Sequence, residues 1–216
     1  MRQRQSLRRA APTRSPKRKF IIYSEGKNTE PDYFRAVRRD LLGALVDLEM
    51  IDAAGVPMTI AEKACQRAAS MKRGRGRKSS FEEGDQVWAV FDRDEHPKVP
   101  EALERCRIGN VEVAFSDPCF ELWLILHFDN FDRPDDRHQV QATLAKLCEG
   151  YDPKGKKSAN FGKLMPKVRD AENRAEQQLA RREEEGQPPR RPFTTVFNLT
   201  KEMREAHFAY KGRGAN

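Results

Sequence analysis

The chain has 216 residues, of which 38% are hydrophobic and 34% charged, and its formal net charge is +8. That length holds one domain of ordinary size with an appendage, and no apolar run is long enough to cross a bilayer, which sets membrane-spanning roles aside. The four cysteines, Cys65, Cys106, Cys119 and Cys148, have neither CxxC spacing nor an accompanying histidine pair. Zinc modules and disulfide scaffolds are therefore disfavoured, and reduced, buried thiols in a cytoplasmic protein are expected.

The first 18 residues read as a disordered basic arm. Arg2, Arg4, Arg8, Arg9, Arg14, Lys17, Arg18 and Lys19 match the whole net charge of +8, so the remainder is close to neutral. Such an arm suits a polyanion, nucleic acid above all, and equally a solubilising tail. No apolar stretch follows it, unlike a secretory signal. Pro12 and Pro16 interrupt the amphipathic helix that a mitochondrial presequence needs.

Residues 20–23 form a short apolar, β-rich run that ends at Glu25-Gly26, a buried strand running into a tight turn. Thr29-Glu30-Pro31-Asp32 reads as a helix start with Thr29 as N-cap and Asp32 completing a capping box. The helix runs to about Leu42. Residues 46–51 alternate apolar and polar, a second strand, and a second helix spans 59–71. Residues 72–80 are a basic, glycine-bearing loop without core-forming residues.

The third strand covers 86–91, a short helix 100–107, and the fourth strand 111–115, closed by Ser116-Asp117-Pro118. Residues 120–128 form a helix that is apolar on most sides and hence largely buried. Strands and helices alternate up to this point, the pattern of a parallel sheet flanked by helices. The expected fold class is thus α/β, a four-stranded parallel sheet over residues 19–130. A helical C-terminal extension, 131–216, packs on it, with helices at 140–147, at 161–185 (kinked at Pro166) and at 194–209.

Acidic residues mark two of the strand ends. Glu25 closes the first strand, and Asp92 and Asp94 close the third. In open α/β sheets, functional sites gather beyond the carboxyl ends of the strands. Carboxylates converging there repel one another unless a cation neutralises them. Mg²⁺ or Mn²⁺ suits such a set, since a hard cation takes oxygen ligands and shares them with a phosphate. Asp92 and Asp94 would hold the ion, and Glu25 would complete the site or act as general acid/base. Any one of the three, taken alone, would read as a loop acid or N-cap. Glu121 opens the helix beyond the fourth strand and could point at the same cluster or merely cap that helix. His127, in the same apolar helix, needs a partner if buried and reads chiefly as a hydrogen-bonded structural histidine.

Gly26 permits close approach of a phosphate or an unusual backbone angle. Lys27, the loop cations Arg73, Arg75, Arg77 and Lys78, and Lys156 with Lys157 are candidate nucleic-acid contacts. Residues 150–158 nearly match a P-loop, but Lys157 stands where Ser or Thr must bind Mg²⁺, Pro153 lies inside and no strand precedes. Nucleotide hydrolysis by this segment is rejected in favour of a basic loop.

Three segments together resemble the RloB family. They are Glu25-Gly26 with Thr29-Glu30-Pro31-Asp32-Tyr33-Phe34, then Val90-Phe91-Asp92-Arg93-Asp94, then Asp117-Pro118-Cys119-Phe120-Glu121-Leu122-Trp123 continuing to Phe128. The resemblance covers about residues 19–210, with Asp117 standing where an asparagine is expected. It implies a Toprim-like fold, shared by topoisomerases, bacterial primases, a small ribosomal RNA maturase and nucleases of the overcoming-lysogenization-defect group. Glu25, Asp92 and Asp94 match the glutamate and D-x-D of that pattern. It also implies a role in bacterial defence against phage beside an AAA-type ATPase partner. The leading expectation is a metal-dependent nuclease, with RNA favoured over DNA and tRNA a guess by analogy. Topoisomerase and primase activities are disfavoured, as the chain has no room for a separate tyrosine-bearing domain and no zinc module. The alternatives are a non-catalytic subunit of the ATPase and a basic RNA-binding protein.

Overall fold

The computed structural model describes residues 18–26, 28–41, 46–52, 56–73, 85–93, 96, 98–155, 159–186 and 188–213. Among them, β1 (Arg18–Ser24), β2 (Val46–Asp52), β3 (Gln86–Asp92), β4 (Glu112–Asp117) and β5 (Phe193–Thr194) form one sheet in the order β2-β1-β3-β4-β5. The first four strands are the predicted ones and all pair in parallel. β5 adds a two-residue antiparallel edge beside β4. The helices are α1 (Thr29–Asp40), α2 (Pro57–Arg73), α3 (Val99–Gly109), α4 (Glu121–Ile125), α5 (Arg137–Leu147), α6 (Val168–Glu185) and α7 (Val196–Arg213). None is long and apolar enough to cross a membrane.

Side chains alternate across the strands, so the sheet has two buried faces. Phe20 and Ile22 of β1 with Trp88 and Val90 of β3 pack under α1, against Tyr33, Phe34 and Val37. Ile21, Tyr23, Ala89 and Phe91 face the other way, against Ile60 and Ala64 of α2 and Ala102 and Cys106 of α3. Val140 and Leu144 of α5, Val168 and Ala171 of α6 and Leu199 and Met203 of α7 continue the α1-side core without a break. Fully burying one such large side chain contributes about 1.5–3 kcal/mol. All four cysteines are free and buried.

Several local expectations change. Asn28, not Thr29, is the N-cap of α1, and it makes no side-chain capping bond. Thr29 and Glu30 stand instead in the first turn of the helix and are both buried. The helix expected at 120–128 is regular only over Glu121–Ile125. Beyond it the chain tightens into i→i+3 bonds, from His127 N to Leu124 O and from Phe128 N to Ile125 O. The long helix expected at 161–185 begins instead as two 3₁₀ turns, Phe161–Lys163 and Met165–Lys167. Pro166 has no N–H for the α-helical ladder and falls in the second turn. The final helix starts at Val196 because Phe193 and Thr194 belong to β5. A capping box does form at α5, where Asp136 accepts from Gln139 N and the Gln139 side chain accepts from Asp136 N.

Candidate carboxylate site at the switch point of the sheet

In the order β2-β1-β3-β4 the chain winds outward in both directions from the β1–β3 pair. That pair is the topological switch point, beyond whose carboxyl ends open α/β sheets place their ligands. Ser24 pairs with Val90, and the next residue, Glu25, still donates its backbone N–H to Val90 O at 3.3 Å. Asp92, the last residue of β3, pairs with Ser116 of β4. Glu25 and Asp92 therefore leave the sheet from adjacent strands at the same edge.

The Glu25 Oε1 lies 3.5 Å from His96 Nε2. Glu30, in the first turn of α1, is buried against the turn at Gly26. A Cβ on Gly26 would stand 2.6 Å from Glu30 Cδ and 2.7 Å from its Oε1, so only glycine allows this approach. Burial raises the Glu30 carboxyl from 4.5 to about 7, and the charges of Glu121 and Glu25 push in the same direction. The backbone N–H groups of Glu30 and Gly26 oppose that rise.

Glu121 follows β4 at the start of α4 and is also buried. Its Oε1 accepts from the Tyr151 hydroxyl at 2.7 Å and from Gln141 Nε2 at 3.1 Å. Cys119, between β4 and α4, is buried as well. Burial first, then the Glu121 and Asp92 charges, lift its thiol well above the ordinary range. Glu30 thus senses the charges of Glu121 and Glu25, and Cys119 those of Glu121 and Asp92. Glu30, Gln141 and Tyr151 escaped the sequence reading.

Asp94, Lys27, Arg75, Arg77, Lys78, Lys156 and Lys157 lie outside the described residues, and Arg73 is described only as the last residue of α2. The near P-loop segment follows α5 rather than a strand. His127 is held away from the carboxylates. Its Nδ1–H donates to Trp123 O at 2.9 Å, and its Nε2 accepts from the Tyr33 hydroxyl at 3.0 Å. Burial lowers its pKa to about 4, so it is neutral at ordinary pH.

Among the described residues no group of three His, Cys, Asp or Glu side chains is close enough to hold a metal ion. Of the expected ligand set, Glu25 and Asp92 are described, and both are hard oxygen donors suited to Mg²⁺ or Mn²⁺. The mutual repulsion registered at Glu30 is the electrostatic setting that a dication relieves.

A family model described as RloB-like protein matches residues 20–203, most of the chain. The chain belongs to the RloB-like protein family. No curated protein and no solved structure matches it significantly. The RloB-like match starts within β1, ends within α7, and takes in every described carboxylate of the site together with Gln141 and Tyr151.

Proposed function

We propose that this RloB-like protein is a metal-dependent nuclease that hydrolyses phosphodiester bonds in nucleic acid, RNA in preference to DNA. The observation that carries the reading is the exit of Glu25 and Asp92 from adjacent parallel strands at the switch point, with Glu30 and Glu121 beside them. Asp92 and Asp94 would hold the ion, with Glu25 completing the set or holding a proton at an oxygen of the scissile phosphate. Bound there, Mg²⁺ or Mn²⁺ would supply the charge that polarises the phosphate and acidifies a water. Glu121, fixed by Tyr151 and Gln141, would keep negative charge directed at the cluster. The family resemblance extends this to a Toprim-like site working in anti-phage defence with an AAA-type ATPase.

The test is incubation of the purified chain with mixed RNA and DNA in Mg²⁺ or Mn²⁺, repeated with EDTA, for wild type, Asp92→Ala and Glu25→Gln. Cleavage is expected from wild type alone, to vanish on chelation, and to fall at least a hundredfold in both variants. Full activity in a folded Asp92→Ala protein would refute the assignment.

A second reading, a non-catalytic subunit that partners the ATPase, has one observation in its favour. Glu25 already faces His96, and Glu121 is already satisfied by Tyr151 and Gln141, as structural carboxylates are. It expects no cleavage under any metal, with or without the ATPase.

A further inference from the structure

One step past Asp92, on the other side of the sheet edge, a buried carboxylate gathers two arginines. Asp117 is the last residue of β4 and is 1% exposed. Its Oδ2 accepts from Arg93 Nη1 at 3.1 Å, and its Oδ1 lies 3.4 Å from Arg191 Nε. The arginine side chains are 49% and 41% exposed, so each guanidinium has one end on Asp117 and the rest in solvent.

Neither arginine is placed by chance. Arg93 N donates to Ser116 O at 2.9 Å, which prolongs the β3–β4 ladder and fixes where the side chain departs. Arg191 enters two residues before β5, whose Phe193 pairs with Asp117. Two cations share one buried anion, which leaves a net positive charge beside a cluster of carboxylates. A site that bound only a dication would gain nothing from such a neighbour. A site that receives a polyanion needs one, because the carboxylates otherwise repel the strand. Planar guanidinium groups with free N–H donors recognise phosphate oxygens.

We propose that Arg93 and Arg191, aligned by Asp117, form a clamp for a phosphodiester group of a nucleic-acid strand lying across the carboxyl edge of the sheet. This rests on the reading of nucleic acid as substrate. Arg93 directly follows Asp92, the last residue of β3, so the clamp takes a phosphate of the strand beside the carboxylates. The ligand chemistry is a phosphate oxyanion, which a free phosphate also presents, and the experiment separates the two.

The test is fluorescence anisotropy of a labelled single-stranded oligoribonucleotide, titrated in EDTA over a range of salt. Wild type is compared with the triple variant Asp117→Asn/Arg93→Gln/Arg191→Gln, which leaves no buried charge unpaired, and with Arg191→Gln alone, where Arg93 still neutralises Asp117. Thermal unfolding establishes that each variant is folded. The triple variant is expected to bind at least tenfold more weakly at low salt. Its log K against log salt should flatten by roughly 1.4, two contacts at about 0.7 each for a single strand, and that of Arg191→Gln by roughly 0.7. Unchanged affinity and slope in folded variants would overturn the clamp and leave the arginines as counter-ions of Asp117. The strand reading would also fall if inorganic phosphate competed as well, per phosphate, as the unlabelled oligonucleotide. Because no metal is present, these outcomes are independent of cleavage. Loss of the clamp leaves the nuclease assignment standing, and absence of cleavage leaves the binding result standing.

Discussion

Glu30 and His127 act in opposition on the pH dependence of folding. Glu30 is raised from 4.5 to about 7, chiefly by burial. The folded chain therefore holds this proton more tightly than the unfolded chain. Its contribution to stability is full below 4.5 and is lost as pH rises through 7. His127 is lowered from 6.5 to about 4, again chiefly by burial. Its contribution is present above 6.5 and is lost as pH falls through 4. At about 1.4 kcal/mol for each tenfold change in proton affinity, either displacement is worth about 3 kcal/mol across its window. The two windows nearly coincide, so in wild type the two effects largely cancel. Glu30→Gln keeps the shape of the side chain and removes its proton linkage. The variant should gain about 3 kcal/mol over wild type between about pH 4.5 and 7.5, nearly all of it by the upper end. The assay is urea unfolding in EDTA, followed by the fluorescence of Trp88 and Trp123, both buried. Groups common to both proteins cancel in the difference between the two profiles. Parallel profiles would refute the argument and place the Glu30 carboxyl in contact with water.

Two further substitutions probe the same region. Gly26→Ala drives a methyl group into the buried Glu30 carboxylate and should cost about 1–3 kcal/mol. Adding Glu30→Ala should recover most of that loss in urea unfolding, and strictly additive effects would contradict the close contact. Tyr151→Phe removes the 2.7 Å bond to Glu121 and leaves the 3.1 Å bond from Gln141 in place. A loss of about 1.5–3 kcal/mol is expected, as for a hydrogen bond to a charged group. Tyr151→Phe combined with Glu121→Gln should cost less than the two single losses together, as measured by thermal unfolding.

The strands were legible because a buried parallel strand leaves an uninterrupted apolar run. Residues 20–23 and 86–91 lie inside β1 and β3, and two of the acids that close them, Glu25 and Asp92, stand at the sheet edge. Glu30 was hidden because an acid in the first turn of a helix ordinarily faces solvent and complements the helix dipole. Its burial comes from the docking of α1 over the Gly26 turn, which local pattern does not encode. Gln141 and Tyr151 were hidden for a similar reason. Each reaches Glu121 across a wide sequence gap, and neither carries a motif. The apolar run 120–128 looked like one helix because its composition reports burial, and burial on every side does not distinguish an α-helix from tighter turns. β5 was missed because two residues cannot display a period.

The C-terminal third also bears on how the site is built. Val140, Leu144, Val168 and Leu199 belong to the same continuous core as Phe20 and Trp88, so these helices cover one face of the sheet. The same segments deliver polar groups to the carboxyl edge: Gln141 and Tyr151 to Glu121, and Arg191 to Asp117. Both recipients are buried acids, and a buried acid without partners is costly. The sheet thus positions the carboxylates, while the helical third neutralises or hydrogen-bonds those that would otherwise be unpaired. A charge cluster assembled in this way needs both parts of the chain. The sequence motifs around Glu25, Asp92 and Glu121 consequently identify where the site lies, but Gln141 and Arg191, which partner its buried acids, come from outside those motifs.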